Sequence, residues 1–207
     1  MRGMTSSTQP GTGATLRPDL PPAPGAELHP SLDFANTLQD TPSGRIDRIG
    51  DREQATAWFL ERGLIPAGSP LGEPCTDRLR ALRAALRTLL GSAAEHTEPP
   101  RAALAEVNAA LTAVPTAEPL GWDAERGLHR TRLHPADQAT EHLLALLAAD
   151  AAALLTGPDV EKIAGCGAAP CSRFLLRTHA SRQWCSVRCG DRVRAARAYT
   201  RRTRTAD

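Results

Sequence analysis

Four cysteines in two short pairs near the C-terminus most constrain what this chain can fold into. Cys166 and Cys171 are separated by four residues, thirteen residues follow, and Cys185 and Cys189 are separated by three. Two short cysteine pairs are typical of a zinc site with four thiolate ligands. Such a site has no open coordination position, so the spacing predicts one structural Zn²⁺ and not a catalytic metal.

The residues around the two pairs predict the local structure of this module. The first pair lies in G-C-G-A-A-P-C, where the glycines and a proline favour a tight turn. A short strand from Phe174 and a turn at His179 would lead to a helix that carries the second pair. Turn, hairpin and helix in this order predict a treble-clef-like arrangement. His179 is an alternative ligand to one cysteine, whereas Cys75 is distant in sequence and is expected to take no part.

Charge is distributed unevenly along the chain. Residues 161–207 contain eleven Lys or Arg and three Asp or Glu, a formal charge of +8. Residues 1–160 contain fourteen basic and twenty acidic residues, a formal charge of −6. Four thiolates around Zn²⁺ add a net −2, which leaves the C-terminal part near +6. A basic end on an acidic body is typical of a nucleic-acid-binding module attached to a domain that does not bind nucleic acid.

The basic residues form a pattern on the predicted terminal helix, which would run from Cys185 to about Arg204. Four arginines recur at helical spacing and form one stripe, and three more flank it. A stripe of guanidinium groups can neutralise phosphates, which favours contact with double-stranded DNA; the alternative is a solvated surface helix. The stripe consists of Arg194, Arg197, Arg201 and Arg204, and the flanking residues are Arg188, Arg192 and Arg202.

Composition and apolar spacing divide the chain into three parts. Residues 1–26 are rich in Ser, Thr, Pro and Gly and are predicted to be disordered, with order beginning near Leu28. Residues 27–158 are predicted to form a mostly helical regulatory domain with a small β-hairpin near 118–134. Residues 159–207 are the zinc module with its Arg-rich helix. The predicted fold class is therefore mainly α, with this hairpin and a treble-clef-like C-terminal finger.

Local signals place the helices of the middle part. Asp51 has the sequence context of an N-cap for a helix over about 52–62. Thr76 or Asp77 is the predicted N-cap of a second, Leu-rich helix. Further helices are predicted from about Pro100 and over 136–155. The most apolar segment, 143–155, is too short to span a membrane, and no N-terminal signal peptide is evident, so we expect a cytoplasmic protein.

Two stretches resemble a known protein family. Residues 184–192, W-C-S-V-R-C-G-D-R, with the C-x4-C pair before them, resemble the CGNR zinc finger, and Asp191 stands where that family has Asn. Residues 32–37, Asp51 and residues 57–60 resemble the start of the helical ABATE domain that accompanies this finger. The resemblance covers about residues 28–203. It implies a bacterial, stress-induced transcription regulator with Cys166, Cys171, Cys185 and Cys189 as zinc ligands and Arg192 as the family arginine.

The Asp191 position leaves two interpretations open. If the family Asn touches DNA, a carboxylate there would repel phosphate, although it could accept a hydrogen bond from a cytosine amino group. If that residue only caps or braces the finger, Asp serves equally well.

These observations predict a DNA-binding transcription regulator that is not an enzyme. The N-terminal domain would sense a ligand or form a homodimer, and transcription machinery is a further expected partner. The alternative is an adaptor whose basic finger docks an acidic protein. A third hypothesis, an enzyme, has little support because the sequence contains no nucleophile–base motif and no phosphate loop. Candidate pocket residues are Asp33 and Asn36, to which an enzyme would add His129, His134 and His142.

Overall fold

The computed structural model describes residues 21–68, 71–114, 120–130 and 139–204. The N-terminal domain contains the helices α1 (Pro30–Ala35), α2 (Arg52–Glu61), α3 (Glu73–Glu95), α4 (Arg101–Thr112) and α5 (Ala139–Thr156). It also contains two hairpins among the described residues, β1 (Leu38–Thr41) with β2 (Gly44–Asp47), and β3 (Leu120–Asp123) with β4 (Gly127–Arg130). The C-terminal module contains a 3-10 turn (Val160–Lys162), β5 (Ile163–Gly165), β6 (Phe174–Leu176) and α6 (Val187–Arg204). Each strand pair is antiparallel. The predicted fold class, mainly α with small hairpins and a C-terminal finger, is confirmed.

The core of the N-terminal domain forms where α3, α4 and α5 pack against one another and α2 covers one end. Phe34 of α1 contacts both Trp58 and Phe59 of α2, with ring centroids 6.1 and 5.7 Å away. Leucines from the apolar stripe of α3 surround these rings. Most of the seven aromatic residues of the chain lie elsewhere, so Leu and Ala supply the remaining packing.

The helix starts show which capping signals were correct. Asp51 caps α2 as predicted, because its Oδ1 accepts a hydrogen bond of 2.8 Å from Gln54 N–H. The prediction for α3 was wrong by one turn, since the helix begins at Glu73 after Gly72. Thr76 is instead fully buried and donates its hydroxyl to the carbonyl of Gly72.

The described part of the N-terminal domain contains two hairpins, and the sequence predicted only one. The pairing of 120–123 with 127–130 confirms the expected hairpin within the described residues; positions 118–119 and 131–134 lie outside them. The β1–β2 hairpin was not predicted. In it, Gln39 is buried and pairs with Ile46.

The N-terminal segment departs from its predicted disorder within residues 21–26. Ala23 is fully buried beside the cysteines, and the carbonyl of Pro24 accepts a hydrogen bond of 2.8 Å from Leu176 N–H. Gly25 has φ +90°, and a Cβ there would lie 2.5 Å from Cγ of Leu176. Only glycine permits this close approach, so order begins before Leu28. Residues 1–20 lie outside the described part of the chain.

The C-terminal module shares a core with the N-terminal domain. Ile163 and Leu176 pack with Leu32, Leu90 and Leu154 in one buried cluster. The module is therefore docked on the helices and does not hang from a linker. Across the described ranges, no helix is both long enough and apolar enough to cross a lipid bilayer.

Candidate metal centre and the arginine helix

The four cysteine thiols converge on one point between the β5–β6 hairpin and the start of α6. The Sγ atoms of Cys166, Cys171, Cys185 and Cys189 all lie within 4.8 Å of one another. Cys185 Sγ is 3.7 Å from Cys171 Sγ and 3.7 Å from Cys189 Sγ. Tetrahedral Zn²⁺ with Zn–S bonds of about 2.3 Å requires S···S separations of about 3.8 Å, so the geometry fits one zinc ion.

Backbone hydrogen bonds fold the first pair into a tight loop. Cys166 N–H donates to the carbonyl of Arg173 at 2.8 Å, and Cys171 N–H donates to that of Ala168 at 2.9 Å. Gly167 N–H reaches the carbonyl of Gln183 at 2.9 Å and so joins this loop to the segment before the second pair. The loop therefore holds both of its thiols on the same side.

The second pair lies at the start of α6, slightly differently from the prediction. Cys185 precedes the helix, which begins at Val187, whereas Cys189 lies in its first turn. The hydroxyl of Ser186 accepts a hydrogen bond of 3.2 Å from Cys189 N–H, the geometry of an N-cap. Cys189 therefore lies at the positive end of the helix dipole.

The thiols require a cation to ionise together. Hydrogen bonds from Cys171 and then Cys185 lower the pKa of Cys166 to about 2. The contact with Cys166 raises the pKa of Cys171 to about 11, and contacts with Cys166 and Cys171 also raise the pKa of Cys185. Without a cation, the cluster therefore favours one thiolate, and that thiolate opposes the ionisation of the neighbouring thiols. A bound divalent cation removes that opposition, since it stabilises all four thiolates.

Two arginines beside the thiols support the same conclusion. Arg173 is 4% exposed and places Nη1 3.8 Å from Cys185 Sγ. Arg192 places Nη2 3.8 Å from Cys189 Sγ and 2.5 Å from the carbonyl of Ala168. The Nε atoms of both are buried without a hydrogen-bond partner, and neither arginine pairs with a carboxylate of the described residues. Buried cations need nearby negative charge, which a Zn²⁺–thiolate centre of net charge −2 provides.

The alternative ligands are placed elsewhere. His179 is exposed and its Nδ1 lies 2.9 Å from Ser181 Oγ. Cys75 packs against the helical core, where Thr140 donates a hydroxyl hydrogen bond to its sulfur at 2.8 Å. Both positions agree with the four-cysteine set.

Two family profiles match this chain. The profile of ABATE, described as "Putative stress-induced transcription regulator", matches residues 28–158. The chain belongs to the ABATE family. The profile of the CGNR zinc finger matches residues 162–202, so the C-terminal module is a CGNR finger with one structural zinc site. Neither family is described by an enzymatic activity. A comparison with curated proteins gave no match.

The glycine of the CGNR motif has a clear structural reason. A Cβ on Gly190 would lie 2.9 Å from Cε3 of Trp184 and 3.0 Å from Nη1 of Arg194. The guanidinium of Arg194 lies 5.5 Å from the Trp184 ring centroid and also pairs with Asp191 at 2.6 Å. Asp191 is exposed and braces the helix surface in this structure.

The arginines of α6 divide into two groups. At 100° per residue, the four stripe positions fall within about 80° of arc and extend over about 15 Å of helix. Arg192 lies outside that arc and is held against the zinc loop. The remaining six are exposed: Arg188, Arg194, Arg197, Arg201, Arg202 and Arg204.

The N-terminal pocket candidates, Asp33 and Asn36, line one cleft. Asp33 Oδ2 lies 2.5 Å from Nε of Arg62. The amide of Asn36 bonds both backbone groups of Phe174, donating to its carbonyl at 2.9 Å and accepting from its N–H at 2.8 Å. This bracing role spans the ABATE domain and the finger. His129 and His142 do not line the cleft, and His134 lies outside the described residues.

Proposed function

We propose that this protein is a zinc-dependent, DNA-binding transcription regulator whose finger contacts the duplex through α6. The observation that carries the proposal is the stripe Arg194, Arg197, Arg201 and Arg204, exposed on a helix whose first turn carries a zinc ligand. Zinc fixes the start of the helix, and the helix carries the guanidinium groups outward. The match to a transcription-regulator family supports the same function.

The stripe sets the expected size of the electrostatic contribution. If Arg197, Arg201 and Arg204 each neutralise one phosphate, log K should fall with log salt with a slope of about −2.7, to which Arg194 adds where phosphate replaces its ion pair with Asp191. Arg188 and Arg202, on another side of α6, would add to that slope where they reach a strand. Arg192 is assigned here to the zinc loop, because its guanidinium already bonds Ala168 and Cys189.

The electrostatic test is the salt dependence of binding, measured by fluorescence anisotropy with the zinc-loaded full chain. The double variant Arg197→Gln, Arg204→Gln should make the slope less steep by about 2. The matched control, Arg52→Gln with Arg101→Gln, removes the same charge from exposed positions of α2 and α4 and should leave the slope unchanged. Binding that survives zinc chelation, or that has the same slope in both variants, would contradict the proposal.

Sequence specificity needs a second experiment, in-vitro selection from random duplexes. An enriched motif supports a specific regulator, and a palindrome indicates a dimer. Salt-sensitive binding without enrichment, together with tight capture of an acidic protein, would favour the adaptor function.

The homodimer in this proposal has a candidate surface on the β3–β4 hairpin. Leu120, Trp122 and Leu128 are 77%, 69% and 76% exposed, and Trp122 pairs with Leu128 across the strands. A single finger covers few base pairs, so two copies on neighbouring half-sites would increase specificity. In sedimentation equilibrium without DNA, Trp122→Thr should weaken self-association, whereas Leu28→Thr, at a similarly exposed site, should not. A monomer at every concentration would remove this part of the proposal.

A further inference from the structure

Arg194 differs from its neighbour in the arginine stripe of α6. Its Nη2 donates a hydrogen bond of 2.6 Å to Asp191 Oδ1, and its guanidinium carbon lies 5.5 Å from the centroid of the Trp184 ring. Trp184 itself packs against the buried core of the finger. Arg197, the next arginine of the stripe, has neither an ion pair nor a ring contact within the described ranges. Two contacts therefore hold Arg194 in place on the helix surface.

The held guanidinium still has donors to offer. Arginine has five N–H groups, and Asp191 takes one of them. The other four donate to no atom of the described residues, and the side chain is 55% exposed. A side chain that is already held loses less rotamer freedom when it binds. Arg194 is thus a planar donor fork that is oriented before any ligand arrives.

The ion pair with Asp191 selects the kind of acceptor that Arg194 can bind well. A phosphate oxygen bonded to this guanidinium would lie close to the Asp191 carboxylate, and like charges repel. The O6 and N7 atoms of guanine carry no formal charge, so the carboxylate does not oppose them. Arginine binds these two atoms together in the major groove. The pair therefore favours a guanine edge over the sugar–phosphate backbone.

The positions of the other exposed arginines agree with this role. At 100° per residue, Arg197, Arg201 and Arg204 are centred about 50° to one side of Arg194 on the helix surface. Arg188 and Arg202 are centred about 100° to the other side. The major groove is wide enough to admit an α-helix, whose flanks then face the phosphates of both strands. In that position Arg194, between the two sets, would be directed at the base pairs.

We propose that α6 enters the major groove with Arg194 as its guanine-reading residue, and that Asp191 and Trp184 are positioning residues for it. The inference rests on the proposed function and adds the base that the finger recognises. It also gives Asp191 a role beside DNA, since its negative charge directs Arg194 away from phosphate. Asp191 Oδ2 receives no hydrogen bond from the described residues and would accept one from a cytosine amino group.

The experiment begins with in-vitro selection from random duplexes by the zinc-loaded full chain. Fluorescence anisotropy then compares the selected duplex with duplexes in which each guanine is replaced in turn by 7-deazaguanine, which lacks the N7 acceptor. We expect one guanine whose replacement weakens wild-type binding about fivefold or more. Arg194→Gln should bind the natural and the substituted duplex equally, because the donor fork is gone.

Two further variants separate base reading from charge. Arg197→Gln, at an exposed position of the same stripe, should make the salt slope less steep by about 0.9 and keep the same sensitive guanine. Asp191→Ala should reduce the effect of 7-deazaguanine and make the slope steeper by about 0.9, because the released Arg194 then binds phosphate. Zinc content and circular dichroism should stay unchanged in all three variants, since each position is exposed.

The outcomes distinguish this inference from the proposed function. No enriched motif, a motif without a sensitive guanine, or wild-type sensitivity in Arg194→Gln would overturn the inference while salt-dependent binding by α6 stands. Wild-type sensitivity and slope in Asp191→Ala would overturn the positioning role of that residue. Absence of any salt-dependent binding by the wild type would instead contradict the proposed function itself, and the inference with it.

Discussion

The amide of Asn36 should be one of the main anchors of the finger, and removing it should have a large effect on stability. Asn36 is 4% exposed, and its two hydrogen bonds of 2.9 and 2.8 Å satisfy the carbonyl and N–H of Phe174 on the outer edge of β6. Asn36→Ala removes both partners at once. Each unsatisfied buried backbone group costs about 1–3 kcal/mol, and water that enters the space left by the amide should hydrogen-bond part of them. We therefore expect the free energy of unfolding to fall by about 2–4 kcal/mol.

The assay is urea unfolding of the zinc-loaded protein, followed by circular dichroism. With an m value of about 2 kcal/mol/M, the midpoint should fall by about 1–2 M. Zinc transfer to a chromogenic chelator should also accelerate, because Phe174 lies three residues after the ligand Cys171. Asn108→Ala, at an exposed position of α4, is the control and should change stability by less than about 0.5 kcal/mol.

One result would refute the reasoning directly. If Asn36→Ala and Asn108→Ala unfolded at the same urea concentration, the two hydrogen bonds would contribute nothing to the native state. If the urea midpoint fell but the rate of zinc transfer stayed the same, the two hydrogen bonds between Asn36 and Phe174 would stabilise the ABATE domain without supporting the finger.

The remaining predictions concern the helix glycines, the ion pair between Asp47 and Arg83, and the metal. In urea unfolding, Gly190→Ala should destabilise the protein, because the steric cost of about 1–3 kcal/mol where its Cβ meets Trp184 exceeds the gain in helix propensity. Gly91→Ala is the matched control: its Cβ would meet nothing within 4 Å, so it should stabilise by about 1 kcal/mol. Asp47→Asn should cost about 3 kcal/mol at neutral pH, since Arg83 is 4% exposed and bonded to both Asp47 oxygens at 2.6 Å. Burial alone would raise the pKa of Asp47, but its hydrogen bonds with Arg83 hold that pKa below the ordinary value. The difference in unfolding free energy between the wild type and Asp47→Asn should therefore be complete above about pH 4 and should disappear at lower pH. Chelation of zinc should reduce the ellipticity of α6 and lower the Tm, and both should return when zinc is added.

The zinc site was predictable because its information is local. Cysteine spacing, glycines between the ligands and a helix after them are all visible in the sequence, and the four thiols do converge. The amphipathic helices were predictable for the same reason, since burial of a helix stripe follows a period of 3.6 residues. The capping residue of α2 was identified correctly, whereas Gly72 gave no side-chain signal for the start of α3.

The features that escaped prediction depend on contacts between distant parts of the chain. The composition of residues 21–26 suggests disorder, yet Gly25 is ordered because Leu176 packs against it, 151 positions later. The β1–β2 strands are four residues each and lack a clear alternation of buried and exposed positions. Asn36 was among the candidate pocket residues, but its partner Phe174 could not be identified from the sequence.

The contacts around β6 join the finger to the rest of the protein. This strand pairs with β5 on one side, while Asn36 and the carbonyl of Pro24 bond its outer edge. Arg87 of α3 adds a hydrogen bond of 2.8 Å to the carbonyl of Ser172, the residue after a zinc ligand. The finger is thus fixed to two parts of the ABATE domain, Asn36 and α3, and to the segment before that domain, whereas the arginine stripe extends away from it. Loss of these contacts should therefore change the orientation and zinc retention of the finger, while the arginine stripe keeps its positions on α6.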